Sequence, residues 1–215
     1  MTESTQAQAQ EVSRLLGIIL KQVVQVVKNG LRELGWWIHE KVTLLSWAFL
    51  RIFDKSTVDG VILVDWVLEQ RPFTPEAKTW LRTFVRADVG NLGKQTGGGW
   101  FYPALGRVFC YTGQHEAMLH ELAHAWYQPR KPRLRKQMLA ATLRAAGDTT
   151  VRYQGACKLA HGYVYGVGRW DGLMDDENHW EMFAGFASYC MGNLEVLPPY
   201  LRKLYVGLFY DWRAS

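Results

Sequence analysis

Cysteine is scarce in this chain of 215 residues: Cys110, Cys157 and Cys190 are the only three, and no two of them form a C-x-x-C pair. An odd thiol count and the absence of paired spacing exclude a disulfide framework and a four-cysteine zinc ribbon, and they point to a reducing, cytoplasmic setting. Histidine contributes six residues in all. A basic leader is missing too. Met1 to Gln10 is polar without a positive start, so no secretory signal peptide is expected. There is also no long uncharged apolar run, because Lys21, Lys28, Arg32, Glu33, Glu40, Lys41 and Arg51 interrupt the N-terminal hydrophobic stretches. A transmembrane helix is therefore not expected.

What is present belongs to a globular protein. Hydrophobic residues make up 48% of the chain and ten residues are Trp, which excludes intrinsic disorder and allows a substantial core. The net charge of +5 is unevenly spread, with nine Lys or Arg against Asp148 alone between Pro129 and Trp170, then six acids and no Lys or Arg between Asp171 and Glu195. An internal electrostatic match, a substrate preference or two solvated faces would each give this pattern, of which solvated faces are the expectation, and no aromatic interleaving supports a nucleic-acid groove.

Helical periodicity predicts a helix over Val12–Lys28, stopped at Asn29-Gly30, and a second over Leu31–Phe53. Their apolar stripes are expected to pack on the rest of the chain, with docking to a membrane or partner as the alternative. A third helix is expected over Thr57–Glu69. A fourth opens at Thr74-Pro75-Glu76, with a capping hydroxyl and a proline at the first helical position, and runs to about Ala87. The loop Gly90 to Gly99 lacks the spacing of a phosphate-binding loop and is expected to be a simple connection. Trp100 to Thr112 holds two β-prone runs split by a turn with Pro103 and Gly106. Further helices are expected over Pro132–Ala146, Val151–Val164, Glu177–Cys190 and Tyr200 to about Trp212. The expected organisation is a disordered tail (1–10), a helical extension packed on the core (11–72) and a catalytic domain (73–215). The fold class is predominantly helical α+β.

The stretch with chemical content is His120-Glu121-Leu122-Ala123-His124. Residues four apart on a helix share a face, so both imidazoles can reach one tetrahedral ion, and imidazole suits Zn2+. Glu121 then lies beside the metal, where it can take a proton from metal-activated water. This is the signature of zincin metallopeptidases, and the resemblance implies a zinc endopeptidase acting on peptide or protein substrates. A third protein ligand is required. The metzincin pattern needs a histidine where Arg130 stands, and DNA-repair proteases of the Spartan and SprT type would place one near Leu139.

The string Asn178-x-x-Glu181-x-Phe183-Ala184-x-Phe186 resembles instead the third-ligand helix of gluzincins of the anthrax-lethal-factor type and of related phage and bacterial metallopeptidases. That resemblance implies His120, His124 and Glu181 as metal ligands. Glu177, one turn earlier, is the alternative ligand. His161 and His179 are nitrogen candidates better suited to orienting a ligand, and Asp175 and Asp176 suit helix caps. The resemblance also implies an oxyanion donor. The family's tyrosine position falls on Met174, so Tyr163, Tyr165 and His179 compete, with Tyr165 preferred. In zincins an edge strand beside the cleft pairs with extended substrate, and either run within Trp100 to Thr112 could supply it. A zincin fold with a structural or regulatory metal, or a SprT-like protease, are the competing functions.

Overall fold

The computed structural model describes residues 3–90, 98–111, 115–146 and 179–209. The chain divides into two compact units, Met1–Glu40 and Lys41–Ser215. The division falls inside a single helix, α1 (Glu3–Phe53). Two expectations need correction here. The stretch expected as a tail is helical from Glu3, and Asn29-Gly30 does not end a helix. A glycine stops a helix when it turns left-handed, and Gly30 is not among the positive-φ glycines; its cost inside a helix is only about 1 kcal/mol. The Gln25 amide also donates to Asn29 Oδ1 at 3.0 Å, one turn back, and the apolar period resumes at Leu31 without a proline. Among the described residues no helix is long and apolar enough to cross a membrane.

The second unit is predominantly helical with one small sheet, the α+β class expected. Thr57 caps α2 (Val58–Gln70) by accepting the Gly60 amide, and Thr74 caps α3 (Pro75–Phe84) by accepting that of Ala77, with Pro75 in the first turn. Helix α3 stops at Phe84, short of the expected Ala87, because the next residues enter a sheet. Strand β1 (Arg86–Gly90) pairs in parallel with β3 (Arg107–Tyr111), and β2 (Gly99–Tyr102) pairs antiparallel on the other side of β3. The order is β1-β3-β2. The local sequence gave β1 no alternating pattern. Its partner lies beyond the glycine loop, and its first side chain, the fully buried Arg86, is held by Asp54 Oδ2 at 3.0 Å and by the Leu105 carbonyl.

Helix α4 (His115–Tyr127) lies on the sheet and is buried from Met118 to Tyr127. A short 3-10 turn, Gln128–Arg130, leads into α5 (Lys131–Ala146). The expected helix Val151–Val164 lies outside the described residues. Helix α6 (His179–Cys190) packs against both α4 and α5, and α7 (Pro199–Arg202) is a single turn. The long last helix expected to Trp212 does not form within the described residues. Its carbonyls are taken by tertiary donors instead, Thr74 N to Leu208 O at 3.0 Å and Thr74 Oγ1 to Gly207 O at 3.1 Å, and Phe209 bridges to Phe73. Cys110 and Cys190 are buried free thiols, raised in pKa by burial; Cys157 lies outside the described residues.

Trp47 ties the end of α1 to this core. It is 1% exposed, its indole N–H donates to Pro103 O at 2.9 Å, and its ring meets Phe101 and Trp80 edge-on at 5.9 and 6.2 Å. The ring abuts the hairpin turn, where a Cβ at Gly106 would come within 2.4 Å of it and where Gly106 adopts φ +59°. Replacing Trp47 with Ala should cost roughly 3–5 kcal/mol of stability, read as a lowered midpoint in urea unfolding. A midpoint within error of wild type would show that the ring does not hold the hairpin.

Candidate metal centre

The sequence dictates the placement of the site. Met118, Leu119, Leu122, Ala123 and Ala125 make α4 apolar nearly all round, so the helix is driven into the core and carries His120, Glu121 and His124 with it, each no more than 6% exposed. Helix α6 is equally apolar through Met182, Phe183, Ala184, Phe186 and Ala187, and packing the two helices together brings Glu181 opposite the histidines. The imidazole Nε2 atoms of His120 and His124 lie 3.0 Å apart. Glu181 Oε2 is 3.2 Å from the first and 3.3 Å from the second.

This triangle fits a tetrahedral zinc. Ligand atoms at about 2.0–2.1 Å from such an ion stand roughly 3.3 Å from one another, and all three contacts are near that value. Two ring nitrogens converging on one carboxylate oxygen is also the donor set that imidazole- and carboxylate-binding divalent ions take. Among the described residues this is the one group of three or more His, Cys, Asp or Glu side chains whose ligand atoms could hold a metal.

The electrostatics divide the two glutamates. Burial alone would raise Glu181, but hydrogen bonds from His120 and His124 draw its carboxyl down to about 2. Glu121 moves the other way, pushed up to about 8 by burial first and by the Glu181 carboxylate second. His124 is shifted down by burial, towards the neutral form that ligates metals. One carboxylate is therefore fixed as an anion in the triangle, while its neighbour is poised to hold or release a proton. A divalent cation between them would reverse the field that Glu121 experiences.

A cavity of about 570 Å³ opens on this cluster. Its walls are β2, through Gly99, Trp100 and Phe101, and Trp180 on α6, with Glu121 and the triangle at its base. The Phe101 ring lies parallel to that of His124 at 6.3 Å, and the Trp180 ring is 4.8 Å from it. Of the two β-prone runs expected to offer a substrate edge, it is β2 that, among the described residues, lies at the end of the sheet and lines the cavity. Gly99 lets it come so close. A Cβ there would stand 2.8 Å from Glu121 Cγ and 2.9 Å from both Cys110 Sγ and Phe109 O, so the last glycine of the loop has a steric purpose that composition could not reveal.

Of the remaining candidates, His179 turns away from the triangle. It is fully buried, and its Nδ1 pairs with the Tyr127 hydroxyl at 2.7 Å, tying the start of α6 to the end of α4; burial raises the Tyr127 pKa. Arg130, at the place of a metzincin ligand, stacks its guanidinium on Trp126 at 3.6 Å and donates to the Trp126 carbonyl. Tyr165, Tyr163, His161, Glu177, Asp175 and Asp176 lie outside the described residues. Sequence reasoning missed Trp180, Phe101 and Gly99. The first two stand beside residues that were singled out, but nothing in local spacing marks an aromatic as a cleft wall.

Compared with protein-family models, curated proteins and solved structures, the chain matches none.

Replacing Glu181 with Gln keeps the volume and removes the anionic ligand. The change should weaken Zn2+ binding by more than the ~100-fold that loss of an outer-shell partner costs at its worst, measured by competition with a chromophoric chelator. Binding within a few-fold of wild type would remove Glu181 from the ligand set.

Proposed function

We propose that this protein is a zinc-dependent metallopeptidase of gluzincin type, hydrolysing peptide bonds in an extended segment laid along β2. The observation that carries this reading is the meeting of His120, His124 and Glu181 at 3.0 to 3.3 Å with a further buried carboxyl, Glu121, on the wall of the same open cavity. His120, His124 and Glu181 would hold Zn2+, which when bound would supply Lewis acidity towards a carbonyl and a water molecule.

The chain's own residues do the rest. Glu121 takes a proton from the attacking water and delivers it to the departing amine; its place in the cavity lining beside His120, His124 and Glu181 suits both halves of that task. The outer edge of β2 offers backbone N–H and C=O groups to an extended substrate, which fixes its direction across the site. Trp100, half exposed at 49%, and Trp180 present apolar surface to substrate side chains. A purely structural metal site needs neither an accessible cavity beside the ligands nor a free carboxyl in its wall.

The test is Glu121→Gln. Hydrolysis of an unstructured protein such as casein should fall by about 10²–10⁴-fold, the usual contribution of a general base, while one equivalent of zinc stays bound. Chelation should silence the wild type, and added Zn2+ should restore it. Equal rates for variant and wild type would sink the mechanism, and zinc binding without any cleavage would favour a structural or regulatory metal.

A further inference from the structure

The unit Met1–Glu40 carries a surface that the peptidase reading leaves unused. Along α1, Leu16, Ile19, Leu20, Val23, Val26, Val27, Leu31, Leu34 and Ile38 follow one another at helical spacing and share a face about half the circumference wide. All are solvent-exposed, from Ile38 at 46% to Val26 at 70%. The basic residues Arg14, Lys21, Lys28 and Arg32 recur at intervals of seven, seven and four, and so line the opposite side. From Arg14 to Arg32 there are four cations and no acid. Beyond them, the Arg32 guanidinium sits 5.0 Å over the Trp36 ring, and Trp37 is 58% exposed.

We propose that this segment of α1 lies in the plane of an anionic lipid surface, with the Leu, Val and Ile face in the acyl boundary and Arg14, Lys21, Lys28 and Arg32 among the headgroups. The helix does not cross the bilayer, consistent with its interrupting charges. Three features favour lipid over a second copy of the helix. The apolar face is far wider than the two-residues-per-heptad seam of a coiled coil. A second copy paired through the apolar faces would leave both four-cation ridges facing outward, with no acid between Arg14 and Arg32 to answer them, whereas anionic headgroups answer them directly. Adjacent Trp36 and Trp37 have the amphipathic rings that settle at a membrane–water interface.

The experiment is co-sedimentation of the full-length protein with phosphatidylserine–phosphatidylcholine vesicles and with pure phosphatidylcholine vesicles. The protein should pellet with the first and stay in solution with the second. Leu20→Glu with Val27→Glu should abolish binding, and Lys21→Glu with Lys28→Glu should weaken it by about tenfold or more, as should high salt. The second pair leaves the apolar face untouched, so it keeps the test intact should the first pair disturb folding; circular dichroism and zinc stoichiometry report on both. Failure to pellet with anionic vesicles overturns the proposal, as does pelleting that neither pair alters. Self-association that Leu20→Glu with Val27→Glu dissolves, in a protein that ignores vesicles, assigns the face to a second copy and equally overturns it. None of these outcomes touches the metal centre, whose fate is decided by Glu121 and Glu181.

Discussion

A carboxylate cannot be withdrawn from water between two packed helices unless donors or cations meet it there. Glu181 satisfies that condition through His120 and His124, and much of the second unit is arranged so that it can. Helices α4 and α6 are apolar nearly all round, which drives them together, and the same packing forces the three polar groups on their facing sides to converge. The Tyr127–His179 pair closes the seam at the far end of α4, at 2.7 Å. Removing either histidine leaves the partly buried Glu181 carboxylate one contact short, so the site and the helix packing are not separable.

Around this pair the remaining elements set distances. The hairpin of β2 and β3 is held on one side by Trp47 and on the other by α4, and Phe101 links the two by meeting both Trp47 and His124. Gly99 lets β2 close on Glu121 where any side chain would push it away. Buried Arg86 anchors β1 to Asp54 and to the hairpin turn. Among the described residues the cavity is thus bounded by β2 and by a helix that carries His120, Glu121 and His124, so its lining rests largely on packed elements.

The sequence was most legible where chemistry and periodicity coincide. His120, Glu121 and His124 announced themselves by spacing on a helix, whereas Glu181 was singled out by the resemblance of its surrounding string to a third-ligand helix; the structure brings these residues together. Caps at Thr57 and Thr74 were readable because a hydroxyl before a helix has one local task. Strand β1 was not, since a parallel partner across a loop leaves no local mark, and α3 therefore stops sooner than its periodicity suggests. Gly30 misled because a glycine's cost is small beside a long run of good helix formers. The residues from Leu204 to Phe209 keep a helical pattern, yet spend their carbonyls on Thr74 and on local turns, a choice made by tertiary contacts. Tyr165 matched no motif position, since the resemblance places its tyrosine at Met174, and it lies outside the described residues.

The central claim is that His120, His124 and Glu181 hold one metal ion and leave Glu121 free beside it. A crystal structure of the zinc-loaded protein, with the metal located by anomalous scattering, tests this most directly. The account predicts a single zinc bonded to both Nε2 atoms and to a Glu181 oxygen at about 2.0–2.2 Å, with Glu121 outside the coordination sphere and facing the cavity. Zinc bonded to Glu121, or to another residue such as Glu177 in place of Glu181, would contradict it.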